Sequence, residues 1–445
     1  MIYQISEEID KKNVFIVNRS ELRGRLDPKM VLYNKRVQYS LYPVVKLKSL
    51  LLEKPQYGAN EAGVPRENRI QPRYIRITDI DENGLISVDE LGVTASNVEK
   101  KYILNENDIL IARSGATVGK AYIHKQLPYM CLYAGYLIRF IVDSKKILPD
   151  YLFIYTQLNS YKEWVKAIQR PSAQPNINAE EYQSLEIPLP NLSIQSNIVN
   201  YINEAYAQKQ VKENEAQQLL NNIDVYLLKK LGIAMPNINR DLKNRIFFST
   251  FSKIEENRID PTFILYFGKN VSSIKYKNIY LRSIAHIVKG NALSSSEVES
   301  GDIPVIAGGQ TSPYKHNKSN YEGNVITVSA SGAYAGYVWY HDYPIYATDC
   351  SVIFSKDEST YLTKYLFEVL KLQQNAIYRL QTGAAQPHVY PADLQMLNIP
   401  IIPIEEQQEI VDYISNIRNK VKELQKEGKD ILENAKQKVE EMIIG

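Results

Sequence analysis

The 445-residue chain carries one long segment twice, and this duplication constrains its fold more than any other feature. The run LEIPLPNLSIQSNIVNYI at 185–202 returns as LNIPIIPIEEQQEIVDYI at 397–414. Leu185, Ile187, Pro188, Gln195, Ile198, Val199, Tyr201 and Ile202 meet Leu397, Ile399, Pro400, Gln407, Ile410, Val411, Tyr413 and Ile414 at a constant offset of 212. Ala173-Gln174-Pro175 recurs as Ala385-Gln386-Pro387 at the same offset, and Ser114-Gly115-Ala116 with Gly119 recurs as Ser331-Gly332-Ala333 with Gly336. The starts match as well: Arg25-Leu26-Asp27-Pro28 corresponds to Arg258-Ile259-Asp260-Pro261, and Leu47-Lys48-Ser49-Leu50 to Leu281-Arg282-Ser283-Ile284. A unit of this length far exceeds a solenoid period, so each copy is expected to be a domain in its own right.

The hydrophobic share of 44% and charged share of 23% are those of an ordinary globular protein, so each half can bury a core. Two cysteines, Cys131 and Cys350, with no CxxC pair and five scattered histidines, support neither a disulfide framework nor a metal site. The start MIYQISEEIDKK lacks the pattern of a signal peptide, and no apolar run is long enough to span a membrane. A reducing cytoplasm is the expected compartment. The net charge of +3 permits nucleic-acid binding without demanding it, so the placement of charge matters more than the sum. The 33 tyrosines suit base stacking, although AT-rich codon usage produces the same bias.

Each half opens with short β-like runs punctuated by Gly, Pro and Asn: Val44–Leu52, Tyr74–Ile80, Ile109–Ala112 and Leu137–Val142, then Tyr280–Val288, Ile303–Ala307, Val325–Ser329 and Ser351–Phe354. Helical segments follow near Pro149–Arg170 and Leu362–Leu380, then a proline-broken extended stretch, then a long polar helix. In the second closing helix Ile410, Ile414, Ile417, Val421 and Leu424 alternate steps of four and three, and the stripe resumes at Ile431, Ala435, Val439 and Met442. That is a heptad seam. The first, Ser193–Leu231, carries Ile194, Ile198, Tyr201, Ala205, Leu219, Ile223 and Tyr226, with a polar middle at Gln208–Gln218. About forty residues span about 60 Å, and an amphipathic helix of that length needs a partner. The natural one is the other copy, packed antiparallel. The chain thus divides into 1–190, a spacer helix at 191–235, 236–403, and a second spacer helix at 404–445.

Catalytic constellations are not legible. SGATVGKA at 114–121 has three residues between its glycines where a phosphate loop needs four, and its copy SGAYAGYV has no lysine. A hairpin with positive φ at Gly115 and Gly119 accounts for it, its tip offering Arg113, Thr117 and Lys120 to phosphate. There is no methyltransferase signature, no glycine-rich cofactor loop and no paired carboxylate cluster. The most basic stretch is PRENRIQPRYIR, where Arg66, Arg69, Arg73 and Arg76 suit phosphate contact and bidentate reading of guanine. Its counterpart runs from Lys289 through Gln310 to Lys315, with Tyr334 on the second hairpin, and is far less basic. Scaffold kept and loops changed is the pattern of two readers with different targets.

In its duplicated plan the chain resembles the specificity subunit of type I restriction-modification systems across nearly its whole length. The matching features are the Arg-x-Asp-Pro openings, the Ser-Gly-x-x-x-Gly hairpins, the Gln-Pro pairs and the Ile-Pro entry to a Gln-containing helix; the prolines of the second copy, IPIIP, stand one residue further apart. The resemblance implies an α+β (mixed α/β) architecture: two target-recognition domains, joined by two long helices in an antiparallel coiled coil with pseudo-twofold symmetry. It implies that the chain is not itself an enzyme, binds no cofactor, and reads a bipartite site in double-stranded DNA. It also implies docking to methyltransferase subunits that use S-adenosylmethionine for adenine methylation, and through them to restriction subunits that use ATP and Mg. Two other readings stand beside it: the recognition subunit of a system with a fused methyltransferase-nuclease partner, and a coiled-coil scaffold that binds protein rather than DNA.

Overall fold

The computed structural model describes residues 19, 29–31, 33, 40–88, 90–169, 175–233, 272–294, 296–383 and 385–444. Both Arg-x-Asp-Pro openings, Ala173, Gln174 and the 235/236 boundary lie outside them. The chain falls into two compact units: the residues up to Lys212 with Lys426–Gly445, and Glu213–Gln425. Each long helix is therefore shared, because the division falls within Leu192–Leu231 and within Ile404–Ile444.

In the first unit a four-stranded antiparallel sheet runs in the order Gln56–Tyr57, Leu137–Phe140, Ile109–Ala112, Ala121–Ile123. Its central strand Ile109–Ala112 reads as an unbroken apolar run because both faces are covered. Ile109 and Ile111 face the core formed with helices Pro149–Tyr155 and Asn159–Ile168, while Leu110 and Ala112 face a second cluster with Ile75, Tyr122 and Tyr133. Strand periodicity of two divides one tetrapeptide between two cores. The second unit repeats the order with Ala285–Lys289, Cys350–Ser355, Val325–Ser329 and Val338–His341.

The likeness extends to minor elements. Arg73–Ile75 pairs in parallel with Cys131–Tyr133, as Val305 and Ile306 do with Tyr346 and Ala347. Val44–Lys46 pairs antiparallel with Glu186–Pro188, as Asn278–Tyr280 does with Asn398–Pro400. A β-carbon on Gly58 would stand 2.2 Å from the Ala134 carbonyl oxygen, and one on Gly290 would stand 2.3 Å from that of Thr348. Only glycine admits this approach, and it does so at one place in both units.

Three expected strands are broken by turns. Leu47–Leu50 is a 3₁₀ turn and Leu281–Ile284 a helical turn, because spacing of three puts Leu47 with Leu50, and Leu281 with Ile284, on one buried side. Ile77–Asp79 likewise turns away from the sheet, with Asp79 accepting the Arg76 backbone N–H at 2.8 Å.

Within the first unit the start of the Leu192–Leu231 helix packs Ile198, Ile202 and Ala205 into one core with Leu432, Ala435, Val439 and Ile443 from the end of the other long helix. Within the second, Ile223, Leu227 and Leu231 share a core with Ile410, Val411 and Ile414, with Ile417 against its edge. The start of each helix therefore meets the end of the other, an antiparallel pairing. Ala216, Val421 and Leu424 form a smaller cluster, and Lys212 pairs with Glu427 at 2.8 Å. The stripe departs from the expected one at Tyr201 and Met442, both exposed, whose places go to Ile202 and Ile443. Steps of three, four and four from Leu432 to Ile443 follow the true helical period rather than a strict heptad.

Candidate nucleic-acid interface

At one end of each four-stranded sheet the hairpin tip meets the turn before the second strand and a proline, Pro175 or Pro387. The Gly115 N–H donates to the Pro175 carbonyl at 3.0 Å, and the Gly332 N–H to that of Pro387 at 3.0 Å. Gly115, Gly119, Gly332 and Gly336 have φ of 80°, 87°, 85° and 95°, as the hairpin reading requires. Matched loops on matched scaffolds thus present different side chains.

In the first unit Arg113 lies over the Tyr57 ring at 4.8 Å, and Tyr57 is half exposed. Beside them Tyr136 is 63% exposed. It borders a recess of about 390 Å³ lined also by Asn60, Glu61, Tyr74, Arg76 and Thr78. Thr117 is exposed on the hairpin, whereas Lys120 turns inward and donates through Nζ to the Ile80 carbonyl. A second recess of about 490 Å³ separates the hairpin from the Asn159–Ile168 helix, with Lys120, Lys162, Lys166 and Gln169 around it.

The four arginines do not form one surface, contrary to expectation. Arg66 is 3% exposed, and its guanidinium donates to the carbonyls of Gln71 (2.7 Å), Leu91 (3.1 Å) and Arg69 (3.0 Å) while lying 4.3 Å over Tyr129. Arg73 is 1% exposed and donates to the Ser87 carbonyl and to the Tyr129 hydroxyl at 3.2 Å. Side chains so enclosed are out of reach of a phosphate, which corrects their assignment as direct contacts. Arg69 is exposed, and Arg76 is half exposed and paired with Asp79 at 3.0 Å. Of the four, only these two are open to the surface.

In the second unit Lys289, Gln310, Lys315 and Tyr334 are all exposed, with Lys315 near Asp302 at 3.8 Å. Ser331 donates to Asp349, and Ser329 Oγ donates to the Gly309 carbonyl at 3.0 Å, which holds the Gly308-Gly309 turn against the hairpin. Tyr390 is exposed and stacks on His388 at 5.9 Å. Tyr57, Tyr136, Tyr390 and His388, not singled out from the sequence, also lie at these ends. Each adjoins a Gly or Pro in the sequence, which was the available signal.

Among the described residues no group of three His, Cys, Asp or Glu is placed to hold a metal, and no helix is long and apolar enough to cross a membrane. Burial raises the thiol pKa of Cys131 to about 11 and of Cys350 to about 12, so both are inert core residues.

Fold and loops together define a duplicated α+β protein with two similar reading ends and a shared pair of helices. The profile of the type I restriction modification DNA specificity domain matches residues 65–221 and again 274–434. The chain belongs to that family, and its function is that of the DNA-recognition subunit. It is 20% identical over 383 residues to the type I restriction enzyme MjaVIII specificity subunit of Methanocaldococcus jannaschii, covering 78% of this chain and 80% of that one. It is 25% identical over 182 residues to the EcoBI specificity subunit of Escherichia coli, covering 39% and 37% respectively. A solved chain described under complex assembly and conformational transition of the type I R-M system shares the fold, with a TM-score of 0.50 at 14% identity over 89% of this chain and 95% of that one. These relatives lend no support to a fused-partner system or a protein-binding scaffold.

Proposed function

We propose that each unit reads one half of a bipartite site in double-stranded DNA, and that the chain directs adenine methylation or cleavage by partner subunits. The observation that carries this is the matched loop geometry with unmatched side chains. Gly115 and Gly332 make the same bond to Pro175 and Pro387, yet Arg113 and Tyr57 flank one hairpin where Tyr334 and Lys289 belong to the other unit. One scaffold that holds two different loop sets is suited to two unlike half-sites. The chain itself acts without catalysis; methyltransferase subunits supply S-adenosylmethionine chemistry, and restriction subunits supply ATP- and Mg-dependent cleavage. Support for that division lies in the missing methyltransferase signature and in the relatives' names as specificity subunits. Methylome sequencing of a host that expresses this chain with its modification subunit tests the reading. The expected result is a motif of two short half-sites around an unread gap; an undivided motif, or no new methylation, contradicts it.

A further inference from the structure

Ile70 is 89% exposed, the highest value among the described large hydrophobic residues. Lone exposed aliphatics are common on protein surfaces; this one tops a loop that is tied from within. Arg66 holds the carbonyls of Arg69 and Gln71, on either side of Ile70, and that of Leu91 on the neighbouring segment. Asn68 Oδ1 accepts the backbone N–H groups of Ile70 at 3.0 Å and Gln71 at 3.3 Å, and Gln71 Oε1 accepts that of Glu67 at 2.8 Å. Six bonds thus fix a six-residue loop whose tip is an isoleucine in water. Ordering a loop costs conformational entropy, and here the ordering leaves Ile70 without a core to bury in.

Beneath the loop Arg66 and Arg73 are buried against carbonyls, a hydroxyl and a ring, and no carboxylate among the described residues pairs with either. Two buried guanidinium groups with only neutral partners among the described residues favour a polyanion over this loop. A rigid apolar tip above a buried positive field therefore fits duplex DNA better than an apolar protein surface. The major groove offers one apolar mark among its base edges, the thymine 5-methyl group.

Resting on the DNA-reading role above, we propose that Ile70 is a specificity-determining contact of the first unit, packed on the methyl group of one thymine, with Arg66 as its positioning residue. The test uses the complex of this chain with its modification subunit, on duplexes that carry its own methylation motif. Each thymine of the half-site assigned to the first unit is replaced in turn by uracil, which lacks only the methyl. At one position uracil weakens wild-type binding about fourfold, the value of one buried methyl. Ile70→Ala shows the same loss on the thymine duplex, no further loss on uracil, and an unchanged salt slope. Arg66→Lys, which keeps the charge but cannot serve three carbonyls in one plane, loses discrimination at the same base pair. Wild-type indifference to uracil at every position overturns the proposal. So does an Ile70→Ala variant that retains the thymine preference or weakens all sequences equally. Failure of the wild-type complex to prefer any sequence overturns the DNA-reading role itself, a distinguishable outcome.

Discussion

Gln195 Oε1 accepts the backbone N–H of Leu148 at 2.8 Å, which caps the Pro149–Tyr155 helix from the first turn of the first long helix. Its Nε2 donates to the Pro190 carbonyl at 2.8 Å, and the side chain is wholly buried. Gln407 repeats the arrangement on Leu362 at 2.9 Å and on the carbonyls of Thr360 and Ile402. The glutamine identity in the duplicated segment is thus a latch between long helix and domain. Gln195→Leu leaves buried donors and acceptors unpaired, and is expected to destabilise the first unit by about 1 to 3 kcal/mol. Hydrogen exchange would show the loss of protection at the Leu148 amide with Leu362 unaffected; equal protection in the variant contradicts the latch.

A second tie is electrostatic. Glu368, buried, takes a two-pronged pair from Arg418 of the second long helix, with Nη2 to Oε2 at 2.6 Å. Burial raises the Glu368 pKa, and Arg418 opposes the shift. Arg418→Ala strands a buried carboxylate and is expected to cost about 3 kcal/mol at pH 7. Because the stranded acid then titrates higher in the folded than in the unfolded state, the deficit shrinks as pH falls. Urea melts at pH 7 and pH 5 check this; a deficit independent of pH means that Glu368 is not ionised in the folded protein.

Acid sensitivity is expected from two histidines. Desolvation lowers the pKa of His124 and of His341 to about 4 from the ordinary 6.5; beside His341, Asp342 opposes the shift. The unfolded chain takes up these protons first, so the stabilisation is complete above pH 6.5 and is lost as pH falls towards 4. Each histidine is expected to contribute about 2 kcal/mol of that loss by pH 4.5. His341 Nε2 sits 2.8 Å from Thr327 Oγ1, so His341→Asn retains a polar partner while removing the titration. The wild-type and variant melting temperatures should differ least at pH 4.5 and most at pH 7. A constant difference would remove His341 from the account.

What was legible in the sequence followed from local rules. Ile109–Ala112 and Val325–Ser329 were delimited by apolar runs, and the hairpin glycines by their spacing. The burial of Arg66 and Arg73 was not legible, since carbonyl acceptors leave no mark in a sequence and arginine is seldom enclosed without a carboxylate. The latch function of Gln195 and Gln407 was hidden for the same reason: their partners are backbone atoms far along the chain.

The two classes of arginine should part in a binding assay. Arg69→Ala and Arg76→Ala remove charge at the surface, so each is expected to weaken binding to all sequences and to flatten the salt dependence by up to about one charge. Asp79 already offsets part of the Arg76 charge, so that variant is expected to flatten the slope by less than one full charge. Arg73→Met removes a buried guanidinium and is expected to show as lower thermal stability, with most of the salt slope kept. Binding measured from 50 to 200 mM salt separates them, and an unchanged slope in the Arg69, Arg76 double variant places this loop away from DNA.

The last prediction concerns the spacer helices. The first long helix is rooted in one core through Ile198, Ile202 and Ala205 and in the other through Ile223, Leu227 and Leu231. The second is rooted through Ile410 and Ile414 at its start, and through Val439 and Ile443 at its end. Lengthening one helix alone would oppose two fixed roots, so the informative variant extends both. Four residues inserted after Lys212 and four after Gln425 fall where the division between the units runs. Four residues add about 6 Å and about 40° beyond one full turn, so the apolar stripes stay nearly aligned. That rise is close to two base pairs of B-DNA at about 3.4 Å each. The methylation motif of the variant is therefore expected to keep both half-sites and to widen its gap by about two base pairs. An active variant with an unchanged gap would assign the spacing to the partner subunits, since the reading loops are untouched and the helices alone have changed.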